Sequence, residues 1–451
     1  MLILGLISVS NASAYYVSDV GARSMARGGA FVAGADDYTA VWYNPAALTR
    51  IDGGQAKIDF AGVQQWVTFD REDVGDEVFD PIENCLCPYP VPTVGLAGPF
   101  LEGRGGWAFG VYPPYAPIME YAADGPQRYD LVDSTVIEIT VGPSAGFEVI
   151  PGLSLGAGLQ YKWMLAGQQL AITTLEGDDP STDIFFEMEA RDTFTMSWNA
   201  GVLWEDPKSQ RYAVGAAFVP PVTYEAKGYL AADFSNHAFY ESGQILSETA
   251  RDDDMTLTVK MPAQIKAGAL VRPTDRLEIE GAFVYQKWDV VEEIVISDVD
   301  MEIDVDLFGT EDTVAITDDV ILPAGYQNSW SARLGGHFDA TERVRVRAGG
   351  LYETSAIPPK TQGVDLVDGN KIGYGAGASF GVTKRVTADV AFAQTFLLIP
   401  EITDSEVRQI VVDPLSGEVS EGRVVGNGTM KSRIDIASVG LQYRWGKGVG
   451  E

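Results

Sequence analysis

A chain of 451 residues with 64 acidic against 32 basic side chains has a formal net charge of -32, which excludes a nucleic-acid partner, because phosphate binding needs an excess of Lys and Arg. Hydrophobic residues make up 46% and the mean hydropathy is -0.00, yet no run of about 18 apolar residues occurs, so helical membrane spans are excluded as well. Two cysteines, Cys85 and Cys87, are too few for a disulfide framework, and two histidines leave little from which to build a metal site or a catalytic triad.

In chain order, residues 1–14 are apolar and end in Ala12-Ser13-Ala14, the pattern of a secretory signal, although no basic residue precedes it. Cleavage there leaves Tyr15 as the first mature residue. Residues 15–50 form a Gly- and Ala-rich segment unlike anything later, with Gly28, Gly29, Asp36 and Asp37, closing on Asn44-Pro45-Ala46. It reads as a plug for the chain that follows.

From residue 51 to 445 the period changes to two, the spacing of a strand with two unlike faces. Ala437, Val439, Leu441, Tyr443 and Trp445 oppose Ser438, Gly440, Gln442 and Arg444, and 153–163 and 194–204 repeat that arithmetic. The polar face is small, as where side chains crowd inside a barrel, and the apolar face ends in aromatics, as at a membrane girdle. Strands are expected at 54–69, 90–99, 105–115, 130–149, 152–168, 191–205, 210–224, 252–271, 275–291, 327–340, 342–356, 369–383, 384–398 and 429–445. That is about 14, the even number a bacterial transmembrane barrel uses. Tight turns at 150–152, 272–275 and 339–341 belong on the periplasmic side. Long acidic loops near 70–89, 169–190, 225–251, 292–326 and 399–428 belong outside, and residues 446–451 form a short extension. In the fourth of these loops, carboxylates alternate with apolar residues from 298 to 307, a protruding ribbon with one solvated face rather than a calcium loop.

Two constellations stand out. The third strand runs into Pro113-Pro114-Tyr115-Ala116-Pro117; proline gives no N–H to the ladder, so the wall should open there unless the strand simply ends at Tyr112. Arg333, Arg343, Arg345 and Arg347 share the face that would line the lumen. Their guanidiniums either hold the carboxylate of an amphipathic solute or pair with Asp389 and the plug's Asp36 and Asp37. Tyr15, Tyr16, Val17 and Phe31 are candidate apolar ligand contacts on the plug. His237 and His337 lie in no nucleophile motif, so no catalytic residue, metal ligand or cofactor is assigned.

The segment Gly28–Asp37 followed by Ala40–Leu48 resembles the FadL/TodX family of outer-membrane transporters for long-chain fatty acids and aromatic hydrocarbons, and weaker matches follow through Met261-Pro262, Trp330, Ile357-Pro358 and the last strand. The resemblance implies a 14-stranded barrel with an N-terminal hatch, a kinked third strand that makes a lateral opening, and facilitated diffusion of a hydrophobic small molecule into the Gram-negative outer membrane. It also implies a monomer surrounded by outer-membrane lipid and lipopolysaccharide. The alternative is a general porin or a structural or adhesive barrel. Three departures are visible: Ala47 stands where the family has Gly, Trp445 is not terminal, and Met164–Leu170 holds no basic residue at the fatty-acid transporter's carboxylate position.

Overall fold

The computed structural model describes residues 19–85, 87–306, 309–317, 319–413 and 419–446; the expected signal peptide, Tyr15, Tyr16, Val17 and most of the C-terminal extension lie outside them. Fourteen antiparallel strands form one closed barrel. They are β1 (Gly54–Arg71), β2 (Tyr89–Phe100), β3 (Gly105–Tyr115), β4 (Asp133–Ile150), β5 (Leu153–Thr173), β6 (Asp183–Glu205) and β7 (Tyr212–Val219 continued by Val222–Asp233). The circuit goes on with β8 (Thr249–Met261 continued by Ala263–Thr274), β9 (Leu277–Lys287), β10 (Ser329–Asp339), β11 (Val344–Glu353), β12 (Asn370–Gly381), β13 (Val386–Leu398) and β14 (Gly428–Trp445). β14 closes the ring by pairing with β1 from Gly54↔Trp445 to Arg71↔Gly428.

The two faces separate as the alternation requires. Val439, Leu441, Tyr443 and Trp445 are exposed on the outer face of β14, whereas Ser438 and Gln442 are buried inside. Leu155 and Leu159 of β5, and Phe194, Met196, Trp198 and Trp204 of β6, likewise face outward. No helix among the described residues is long and apolar enough to cross a membrane; the crossing is made by strands. Six short connections, the start of β1 and the end of β14 gather at one end, the periplasmic side of such barrels, and the long connections gather at the other.

Three loop boundaries differ from those read in the sequence. β5 and β6 run on through 169–190, pairing as far as Thr173↔Asp183, and β7 reaches Asp233. Beyond the bilayer both faces of a strand meet water or protein, so Gln168, Gln169, Glu187 and Glu189 blur the polar alternation that marks a strand in lipid. Two further outer connections, 116–132 and 354–369, fall on the gaps that the expected strands leave at 116–129 and 357–368, which are shorter than the five loops expected outside. The acidic ribbon is Met301–Asp306 paired with Glu311–Ile316; Met301, Ile303 and Val305 are buried while Glu302 and Asp304 face solvent.

Candidate functional site

The lumen is filled by residues 19–51, nearly all of them buried. This segment has little regular structure: single helical turns at Ala22–Met25 and Ala40–Tyr43, then a 3-10 turn at Pro45–Arg50. Its shape is fixed by close approach to the wall. Gly28 and Gly29 have φ of 60° and 74°, and a Cβ on Gly28 would stand 2.7 Å from the backbone N of Gly350. The wall reciprocates with inward-facing glycines: side chains at Gly335 and Gly349 would strike the carbonyl of Arg27, one at Gly375 that of Met25, and one at Gly106 that of Leu48. A side chain at any of these places has no room.

Asn44 sets the turn before Pro45. Its Oδ1 accepts from Ala46 N at 3.0 Å, and its Nδ2 donates to Val32 O at 3.2 Å and to Val202 O of β6 at 3.1 Å. Pro45 at the first position of the 3-10 turn has no N–H to leave unsatisfied there.

Ion pairs fasten the segment to the wall at several places. Arg23 reaches Asp389 of β13 at 3.0 Å, Lys57 of β1 reaches Asp37 at 2.8 Å, Asp389 at 3.3 Å and Asp59 at 3.4 Å, and Arg23 also lies 3.4 Å from Asp36. Arg27 spans Glu278 and Glu280 of β9 at 2.8 and 3.0 Å, and Glu280 also accepts from Ala33 N at 2.7 Å. Asp19 meets Arg333 of β10 at 2.9 Å. Buried charges such as these hold a geometry firmly, since stripping one partner leaves the other uncompensated.

Among the residues singled out in the sequence, Gly28, Gly29, Asp36, Asp37, Asn44, Pro45 and Ala46 therefore all lie in the lumen. Phe31 is buried inside the segment, edge-on to Tyr43 at 5.6 Å and under the Arg27 guanidinium at 5.2 Å. Of the four arginines, Arg333 is taken by Asp19, Arg345 by Asp339 at 2.5 Å and Asp36 at 3.5 Å, and Arg347 donates to Ser379 Oγ at 2.6 Å. Arg343 lies exposed in the turn before β11. Asp389, a partner expected for these arginines, is instead held by Arg23 and Lys57.

At the prolines the wall changes. β3 pairs with β2 only from Phe100↔Gly105 to Val94↔Val111. Beyond Val111 the two strands part, while Tyr89–Thr93 of β2 keep pairing with β1. On its other side β3 slips register against β4 between Tyr112 and Tyr115, a bulge, before 118–120 pair with β4 again. Tyr112 through Pro117 are all buried, so the in–out alternation is lost and Pro113, Pro114, Tyr115 and Pro117 turn into the barrel. Pro90 and Pro92 lie on the opposite edge of the parting. Proline on both edges lowers the number of N–H donors left unpaired in lipid, each of which would cost several kcal/mol, on the order of 2–7. Pro90 and Pro92 carry a signal that sequence reasoning could have used: two prolines in alternate positions of a strand already place it at an edge.

The luminal segment touches both edges. Tyr38 OH donates to Thr93 Oγ1 of β2 at 2.8 Å, and the Trp42 ring packs on Tyr112 of β3 with centroids 5.8 Å apart. Lys266, missed in the sequence, lies over the Trp42 ring at 3.4 Å and donates to Trp42 O at 2.8 Å. Above Trp42 and Tyr43 one buried apolar cluster continues outward through Met164, Ile172, Phe186, Met188, Leu230, Phe234, Met255, Leu257, Ile294 and Ile296.

A closed outer-membrane barrel whose lumen is occupied by its own N-terminal segment is the class of protein that this fold and site define. The chain belongs to the family described as outer membrane protein transport protein (OMPP1/FadL/TodX), whose model matches residues 4–431, and it resides in the Gram-negative outer membrane. Among solved structures it is similar to a Pseudomonas aeruginosa FadL homologue, with a TM-score of 0.74 and 17% identity over 96% of this chain and 100% of that one. It is similar also to the Pseudomonas putida toluene transporter TodX, with a TM-score of 0.65 and 14% identity over 96% of this chain and 100% of that one. A putative outer membrane protein of Neisseria meningitidis is 20% identical over 96% of this chain and 95% of its own length. The long-chain fatty acid transport protein of Escherichia coli is 22% identical over 50% of this chain and 46% of its own length, so the chain spans about half of that relative and of the 47 kDa outer membrane protein of Pasteurella multocida.

Proposed function

We propose that this protein passes hydrophobic small molecules, long-chain fatty acids or aromatic hydrocarbons, across the outer membrane by facilitated diffusion. Residues 15–50 act as the hatch, 51–445 as the barrel, and the parting of β2 from β3 as a lateral exit into the membrane. The observation that supports this most is the parting itself, with Tyr112–Pro117 turned inward beside Tyr38 and Trp42 of the luminal segment. An apolar solute gains about 25 cal/mol per Å² of surface buried, which the apolar cluster of the outer lumen supplies. A solute leaving between β2 and β3 enters lipid without crossing the ion-paired lower lumen. The protein acts as a monomeric channel in contact with outer-membrane lipid and lipopolysaccharide, needs no cofactor and performs no catalysis.

A general porin has an open polar lumen, and the ion pairs that hold residues 19–51 speak against that alternative. In reconstituted vesicles the protein should admit a hydrophobic tracer while excluding small sugars, and planar bilayers should show no steady ionic conductance. Sugar permeation with porin-like conductance, or adhesion without uptake of any tracer, would overturn the reading.

A further inference from the structure

At the periplasmic mouth, beside the luminal segment, lies a cavity of about 420 Å³ whose lining includes Arg23, Arg276, Arg343, Arg345, Arg347 and Arg444. Two carboxylates, Asp339 and Glu342, share that lining. In a chain with twice as many acidic as basic side chains, six guanidiniums against two carboxylates is a local reversal of sign. Asp339 is engaged by Arg345, and Arg23 by Asp389 and Asp36.

Arg347 and Arg444 are held differently. Arg347 is 6% exposed and donates to Ser379 Oγ at 2.6 Å; Arg444 donates through Nε to Gln442 Oε1 at 3.3 Å, the oxygen that also receives Arg23 Nη2 at 2.7 Å. Among the described residues neither makes an ion pair with a carboxylate. Neutral acceptors therefore fix the two guanidiniums in place, while Asp36 acts on both, Asp389 on Arg347 and Asp37 on Arg444 from beyond ion-pair distance. A guanidinium offers five donors in a planar fork suited to carboxylate and phosphate, and a field of one sign inside a low-dielectric wall raises the local concentration of counter-ions.

We propose that this cavity is a periplasmic oxyanion site, binding a phosphate group between Arg347 and Arg444. Thr341 and Thr387, which also line it, add hydroxyls. Its occupant reaches it from the periplasm, and the site stands independently of what the barrel transports.

The test is titration of the full-length protein in neutral detergent at low ionic strength with inorganic phosphate and, in parallel, with dodecyl phosphate. Saturable binding of one phosphate per chain, weakened at least about tenfold in Arg347→Gln/Arg444→Gln and at most slightly in Arg191→Gln/Arg251→Gln, is the expected result, tenfold being about 1.4 kcal/mol. Arg347→Lys/Arg444→Lys keeps the charge and loses the fork, so it should retain weak binding and the native thermal transition. Equal binding of the two probes assigns a free anion; preference for dodecyl phosphate assigns a lipid headgroup. No saturable binding of either probe, binding that the Gln pair leaves intact, or capture of an acidic peptide alone would overturn the proposal.

Discussion

Two seams of the barrel join strands of similar polarity, and they behave differently. β1 and β14 pair without interruption from Gly54↔Trp445 to Arg71↔Gly428, and neither strand contains proline. β2 and β3 begin in the same way at the periplasmic end, then separate after Val94↔Val111 where Pro90, Pro92, Pro113 and Pro114 fall. Hydrophobicity does not distinguish the two seams; donor supply does. A bilayer enforces complete pairing through the cost of stranded N–H groups, and a chain that removes the donors is released from that rule at a chosen height.

The largest effect should come from sealing the parted seam. Val91 and Pro113 line one small cavity that also contacts the luminal residues Asp19 and Met25. With Cys85 and Cys87, both exposed free thiols, replaced by Ser, cross-linking Val91→Cys to Pro113→Cys should lower uptake of a hydrophobic tracer at least about tenfold, reversibly on reduction. The same treatment of Gly62→Cys and Ala437→Cys, opposed across the β1–β14 seam, should leave uptake unchanged. If both cross-links act alike, the distinction between the seams has no functional meaning.

Next in size is the fastening of the luminal segment to the closed seam. Arg23 is buried and bridges that segment to β13 and β14 through Asp389 and Gln442. Arg23→Gln leaves Asp389 with Lys57 as its one ion-pair partner among the described residues and should loosen the luminal segment by about 3–5 kcal/mol, the usual cost of breaking a buried pair. Faster hydrogen exchange at amides 22–48, with the barrel strands unchanged, is the readout; uniform acceleration would mean that the barrel had been destabilised instead.

The smallest effect concerns the loop over the parted seam. Asp130, in the connection from β3 to β4, is buried and accepts from Val364 N at 2.5 Å, while Tyr121 OH donates to Val364 O at 3.2 Å. Burial raises its carboxyl from 3.8 to about 6, against the opposing pull of the Val364 and Asp365 amides. The native loop thus holds a proton that the unfolded chain releases, so its stability falls as pH rises from about 4 to about 6 and is greatest below that window. Protection of the Val364 amide should decline over that range in the wild type and stay level in Asp130→Asn.

Much of the architecture was legible locally. The alternation in 153–163, 194–204 and 437–445 set the faces of β5, β6 and β14, because a strand in lipid must show one face to hydrocarbon. The proline cluster at 113–117 likewise announced where β3 leaves the ladder. Outside the membrane that constraint lapses, which is why the ends of β5, β6 and β7 escaped notice. The luminal segment stood apart by composition, but its fastenings did not show: Arg27 with Glu280, and Asp19 with Arg333, are pairs made between residues hundreds of positions apart.

By itself the sequence determined that a run of membrane strands follows the luminal segment, which face their side chains take within the membrane, and where proline withholds donors from the ladder, since period two and missing N–H groups act within a few residues. Only the tertiary structure decided which charges meet, that Tyr38 and Trp42 touch the two edges of the parted seam, and that six arginines converge at the periplasmic mouth. Closing the barrel brings together side chains hundreds of residues apart, and no local pattern records that encounter.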